Sequence, residues 1–197
     1  MLKNIIFDFG GVICGYNPDQ LISDFYPPED CALVKPVIHR NWSGLDAGTV
    51  DYWTYAEETA ALLPERLREA THRFFTDWYK HMPPIEDTWA LIGRLQARGY
   101  RCFLLSNHCV LFANDLNYFP VLRSLDGAVV SATIHMLKPN AEIYEHTLNK
   151  FGIEASETMF VDDMAYNVEA ARACGLYGYV YSGDADKLLE YIESLSE

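Results

Sequence analysis

Three carboxylates stand at the ends of two apolar runs, and chemistry is most concentrated there. Asp8 interrupts the run Asn4 to Phe9 and is followed by Gly10 and Gly11; Asp162 and Asp163 close Thr158 to Val161 and precede a helical pattern containing Asn167. A buried carboxylate is costly without a partner. Asp8 taken alone reads equally well as a turn residue, and one of the Asp162–Asp163 pair as a helix N-cap. Gathered at one sheet edge, however, the three would repel one another unless a hard cation joined them, and oxygen-only ligands suit Mg2+. Two further segments offer the opposite character: Ser106-Asn107 after Leu104-Leu105, and Lys138 before Pro139. A hydroxyl, a carboxamide, an ammonium and nearby amides can hold three phosphate oxygens.

The elements that must bring these residues together are legible from the hydrophobic pattern. Asn4 to Phe9, Arg101 to Ser106, Thr158 to Val161 and Gly178 to Tyr181 read as buried parallel strands, with Gly127 to Ser131 a weaker fifth. Helical patterns lie between them. Glu86 to Arg98 places Trp89, Ile92 and Leu95 on one stripe before Gly99, and Pro139 to Phe151 ends at Gly152. Val168, Ala171 and Gly175 repeat the pattern before the last strand. This alternation predicts an α/β fold with a Rossmann-like parallel sheet. Residues 16–82 carry no convincing strand and several amphipathic stretches, including Leu67, Thr71, Phe74, Phe75 and Trp78 on one face. They are expected to form an all-helical cap inserted into a core made of residues 1–15 and 83–197. Following the first strand directly, the cap would sit as a lid over the carboxyl edge of the sheet.

Composition narrows the partners. The 28 acidic and 15 basic residues give a formal charge of −13, which repels a phosphate backbone or an anionic membrane surface. Neither nucleic acid nor a membrane is expected as a partner. The five cysteines, Cys14, Cys31, Cys102, Cys109 and Cys174, show no CxxC spacing and read as reduced thiols, several of them in the core. With no leader pattern after Met1 and no run of about 18 apolar residues, a cytoplasmic protein is expected. No feature specifies an oligomer.

The ordered set FDFGGVI (Phe7 to Ile13), LLSN (Leu104 to Asn107), LKP (Leu137 to Pro139) and FVDDMAYNVEAARACG (Phe160 to Gly175) resembles the four motifs of the haloacid dehalogenase superfamily. The resemblance implies a phosphatase in which Asp8 is the nucleophile and, with the Gly10 carbonyl and Asp163, a ligand of Mg2+. Asp162 would act directly or through water. Ser106 and Lys138 would bind the phosphoryl group beside Gly11 and Asn107, with Lys138 also offsetting the charge of Asp8. The substrate would be a small phosphorylated metabolite, hydrolysed through an aspartyl-phosphate. The cap segment Trp42 to Gly48, with Tyr52-Trp53, resembles the branch containing bacterial sugar-phosphate phosphatases of the glucose-1-phosphate type, which favours a sugar phosphate. A haloacid dehalogenase or a non-enzymatic binding member are the alternatives.

The pattern departs from the family at Gly10, where its phosphatases usually carry an acid-base aspartate. Such catalysis is worth about 100- to 10,000-fold. A steep dependence of rate on leaving-group acidity is therefore the expectation. His108 and His135 are further candidates for substrate contact, with local hydrogen bonding as the simpler role. Trp42, Tyr52, Trp53 and Tyr55 read as packing residues, with a sugar pocket under the lid as the alternative.

Overall fold

Asn4–Phe7 (β1) is buried at every position because it is the middle strand of a five-stranded parallel sheet ordered β3-β2-β1-β4-β5. The structure, a computed structural model, describes residues 1–195; residues 196 and 197, the end of the predicted core segment, lie outside it. The other strands are Arg101–Ser106 (β2), Gly127–Val130 (β3), Thr158–Asp162 (β4) and Tyr177–Val180 (β5). All four neighbouring pairs are parallel. Each predicted strand is present, β2 with the expected bounds and the others with ends within two residues of them.

Between β1 and β2 the chain forms Pro18–Ser23 (α1), Pro28–Ile38 (α2), Trp42–Asp46 (α3), Tyr52–Leu62 (α4), Arg68–Asp77 (α5) and Glu86–Ala97 (α6). After β2 come Val110–Asn114 (α7), Ala141–Phe151 (α8), Ala165–Ala173 (α9) and Ala185–Ser194 (α10). Helices α7 and α10 were not among the predicted elements.

Strand alternation divides the core in two. Ile5, Phe7, Cys102, Leu104, Met159 and Val161 face a cluster containing Leu91, Ile92 and Leu95 of α6 and Leu188 and Ile192 of α10. Ile6, Phe103, Leu105 and Phe160 face Ile143 and Tyr144 of α8 and Ala171 of α9. In α6 the buried stripe is Thr88, Leu91, Ile92 and Leu95. Trp89, expected on it, instead donates its indole N–H to the Ile13 carbonyl at 2.8 Å. That bond ties α6 to the point where the chain leaves the sheet. There the Gly15 amide donates to Pro83 O and the Ile85 amide to Ile13 O, at 2.8 and 3.0 Å, so the outgoing and returning chains lie side by side. Helices α1 to α5 between them pack on an aromatic group, Tyr52, Tyr55, Phe74, Phe75 and Trp78, that is continuous with the first of these two clusters.

Candidate active site

β1 ends at the centre of the sheet, which places Asp8 between the ends of β2 and β4. Its amide still continues the ladder, donating to Val161 O at 2.9 Å. Ser106 ends β2 and Asp162 ends β4. Lys138, just before α8, reaches back into this group and is almost fully buried. Its ammonium lies 2.7 Å from Asp8 Oδ1 and 2.7 Å from Asp162 Oδ2, and donates to Leu105 O at 3.1 Å. Three acceptors match its three protons.

Electrostatics follow from that burial. Desolvation, with the charge of Asp162 adding to it, pushes the Asp8 carboxyl up to about 6 despite Lys138. Burial also opposes the charge on Lys138, but Asp8 and Asp162 more than reverse this and hold its pKa above the usual lysine range. Asp163 is raised as well, by desolvation and then by Asp162. Ligand oxygens of Asp8, Asp162 and Asp163 lie within 4.8 Å of one another. Such a concentration of carboxylates is what a hard divalent cation would relieve, and the all-oxygen donor set fits Mg2+. The Gly10 carbonyl accepts none of the hydrogen bonds of its turn, where Phe9 O and Cys14 O are the acceptors.

Three of the expected site residues also bond within the protein, although Asp162 lies in the carboxylate group and Asn107 lines the cavity above Asp8. Asp162 is fully buried, and its oxygens accept from Lys138, from the Met164 amide at 2.8 Å and from the Asn167 carboxamide at 3.1 and 3.2 Å. Its visible work is to hold Lys138 and start α9. The Asn107 carboxamide clamps the Lys138 backbone, accepting from its amide and donating to its carbonyl, both at 2.9 Å. It positions the lysine. The Gly11 amide, expected to face phosphate, donates to Cys14 O at 2.8 Å. Gly11 matters for a different reason: its φ is +75°, and a Cβ there would lie 2.6 Å from Asp163 Cγ. Gly10 has no such constraint, its nearest neighbour being Tyr16 Cβ at 3.5 Å. Gly11→Ala is therefore expected to weaken divalent-cation binding about tenfold or more by displacing Asp163, and Gly10→Ala to leave it within about twofold. Isothermal titration with Mg2+ checks this; equal losses would contradict it.

A cavity of about 370 Å³ opens above Asp8. Asp8, Ser106, Lys138 and Asp163 line its floor, and the Ser106 hydroxyl makes no hydrogen bond among the described residues. Trp42 of α3 and Trp78, just after α5, reach it, joined by Met82, while Tyr16, Met164 and Tyr166 stand exposed around it. Of the four candidate cap aromatics only Trp42 lines it. Tyr52 and Tyr55 are buried, donating their hydroxyls to Phe75 O and Ile38 O, and Trp53 is exposed. His108 also lines the cavity, stacked between Trp78 and Phe112 at 4.9 and 3.9 Å. Burial pushes its imidazole down to about 3, so it is neutral, and Nδ1 accepts from the Cys109 amide. His135 lies outside the cavity lining and hydrogen-bonds Ala47 O at 3.1 Å.

Residues 2–175 match the family described as haloacid dehalogenase-like hydrolase. The chain belongs to that family. This hydrolase is 29% identical over 187 residues to the sesquiterpene phosphatase astK of Aspergillus oryzae, covering 89% of this chain and 88% of that protein. It is 23% identical over 190 residues to an (S)-2-haloacid dehalogenase of Pseudomonas putida, covering 88% and 82%. Its fold matches the crystal structure of a HAD family enzyme from Bacteroides thetaiotaomicron in complex with magnesium and inorganic phosphate, with a TM-score of 0.72 at 20% identity, over 93% of this chain and 96% of that one. Phosphatases recur among the relatives of this hydrolase, and phosphoric monoester hydrolysis is its reaction class.

Sequence reasoning missed Asp46, which lines the cavity from α3. It lies in the Trp42 to Gly48 segment already singled out, but nothing in its spacing shows which way it faces. Gly48, with φ of +63° and a neighbour in the Ala132 carbonyl that leaves no room for a Cβ, is the nearest thing to a signal. Among the described residues no helix is long and apolar enough to cross a membrane.

Proposed function

We propose that the protein is a magnesium-dependent phosphatase that hydrolyses a small phosphorylated metabolite in the cytoplasm through an aspartyl-phosphate on Asp8. The observation that carries this is the Lys138 ammonium held between Asp8 and Asp162, with Asp163 beside them. Mg2+ held by Asp8, Asp163 and the Gly10 carbonyl would neutralise charge on the phosphoryl oxygens. Lys138 fixes the Asp8 carboxylate for attack on phosphorus and adds positive charge where the transition state spreads its negative charge. Ser106 donates to a phosphoryl oxygen, and residues 16–82 act as the lid. Displacing halogen from carbon would give Asp163 no task, which favours the phosphatase reading over the dehalogenase alternative. The intact pairing of Asp8 with Lys138 speaks against a site kept for binding alone.

The substrate's body is open to two readings. The cap segment favours a sugar phosphate, one face of which can stack on the half-buried Trp42. The second reading is an apolar alkyl or isoprenoid phosphate. Tyr16, Met164 and Tyr166 exposed around the cavity favour it, as does the likeness to a sesquiterpene phosphatase. A magnesium-dependent screen of both classes, with chelator controls, decides between them.

Metal binding gives a test independent of substrate. Asp163→Asn is expected to abolish most of the rise in Tm caused by Mg2+, with the metal-free Tm nearly unchanged. Asp162→Asn should act oppositely and lower the metal-free Tm, because a carboxamide N–H would face the Lys138 ammonium or the Met164 amide. Scanning calorimetry with and without Mg2+ distinguishes them. Equal losses of the magnesium effect at unchanged metal-free Tm would overturn this assignment.

A further inference from the structure

Gly10 leaves the strand that bears the nucleophile without a proton donor, yet a carboxyl group enters the same cavity from the inserted helices. Asp46 ends α3 and lines the cavity with Asp8, Lys138 and His108. Its side chain makes no hydrogen bond or salt bridge among the described residues. Its backbone, by contrast, is anchored to the core. The buried Ser131 hydroxyl donates to Asp46 O at 2.5 Å and accepts from the His108 amide at 2.9 Å. The next residue is held by His135 through Ala47 O, and Gly48 allows close approach to Ala132. The carboxyl is thus placed by three contacts with the loop after β3 and is spent on none of them.

In-line displacement puts the leaving oxygen on the far side of phosphorus from the attacking Asp8 oxygen. With Asp8 on the cavity floor, that side is the one the cap covers. Asp46 also lies outside the Asp8, Asp162 and Asp163 cluster, which separates it from the cation site.

Resting on the phosphatase reading above, we propose that Asp46 is the general acid and base of this enzyme, supplied by the cap in place of the residue missing at Gly10. In the first step an Asp8 oxygen forms a bond to phosphorus and the bond from phosphorus to the ester oxygen breaks. That oxygen keeps the electron pair, takes the Asp46 proton and leaves as the alcohol, and Asp46 becomes a carboxylate. In the second step water enters the vacated position and attacks phosphorus while Asp46 takes its proton. The phosphorus–Asp8 bond breaks, and Asp8 carboxylate, inorganic phosphate and protonated Asp46 result. The sum is ester plus water giving alcohol plus phosphate.

The environment suits an acid that must be protonated near neutrality. Burial, and then the charge of Asp8, push the Asp46 carboxyl up to about 7 against the pull of Lys138. The other titratable groups that feel it are Tyr16 and Cys109, both pushed up to about 12 and so neutral, as is the nearby His108.

The test is acid-quenched single turnover with magnesium, reading phosphorylation of Asp8 by a primary alkyl phosphate and by a nitrophenyl phosphate. Asp46→Asn is expected to slow the alkyl ester about 100-fold or more and the aryl ester less than about tenfold, since a good leaving group needs little protonation. Adding Gly10→Asp to that variant should restore the alkyl ester preferentially, an effect that a purely structural role for Asp46 would not show. Equal losses for both esters would overturn the proposal. The wild-type protein provides a measure free of any folding defect: over a series of esters, a shallow dependence of phosphorylation rate on leaving-group acidity supports Asp46 and a steep one overturns it. Absence of phosphorylated Asp8 in an active wild-type enzyme would instead overturn the phosphatase mechanism, and the proposal with it.

Discussion

Asp8→Asn is expected to lower hydrolysis of every phosphate ester by about 10⁴-fold or more, the scale of loss when a covalent nucleophile is removed. A carboxamide oxygen is a poor nucleophile and brings no negative charge to the cation. The fold should survive. Asp8 is a buried carboxylate whose pKa is raised to about 6 by desolvation and by Asp162, so a neutral group of nearly the same shape relieves repulsion among the three carboxylates. A Tm equal to or above that of the metal-free wild type, together with lost turnover of nitrophenyl phosphate, is the expected pair of results. Retained turnover would remove Asp8 from the mechanism.

The second large effect is at Lys138, where activity and stability should fall together. Its ammonium is paired with Asp8 and Asp162 at 2.7 Å, and all three side chains are buried. Removing the one cation of such a group leaves its two buried carboxylates uncompensated, at a cost of about 3–5 kcal/mol. Lys138→Ala should therefore lose about that much in urea denaturation of the metal-free protein near neutral pH. The sign of the pH effect follows from Asp8. A carboxyl raised in the folded state contributes stability below its unfolded pKa and loses it as pH rises through the folded value. With the offsetting ammonium gone that value rises further, so the defect should shrink when the pH is lowered from about 7.5 to about 5. Lys138→Arg should not restore activity, because a planar guanidinium cannot direct three donors at Asp8, Asp162 and Leu105 O. A defect that does not change with pH would contradict the pairing.

Legibility in the sequence followed the range of the forces involved. Asp8, Ser106 and Asp162 were readable because each ends an apolar strand, and parallel strands bring their carboxyl ends to one edge. Lys138 was readable from its place before a helix that packs on the same sheet. Asn107 and Gly11 were recognisable as members of the site, but a carboxamide or an amide looks the same in sequence whether it faces phosphate or the protein. In the structure they bond Lys138 and Cys14, with Asn107 also lining the cavity. Asp46 was out of reach: its direction depends on how a five-residue helix docks on Ser131, 85 positions away. The stripe of α6 shifted because Trp89, the largest apolar side chain in the pattern, also carries a donor that Ile13 O accepts.

The central claim is a covalent phosphoryl group on Asp8. Wild-type protein mixed with nitrophenyl phosphate and magnesium, quenched in acid within a single turnover and digested, should yield the peptide containing Asp8 with the mass of one added phosphoryl group. The adduct should appear before free phosphate does, and be absent from Asp8→Asn. Turnover without any such adduct, or an adduct on another residue, would contradict the account.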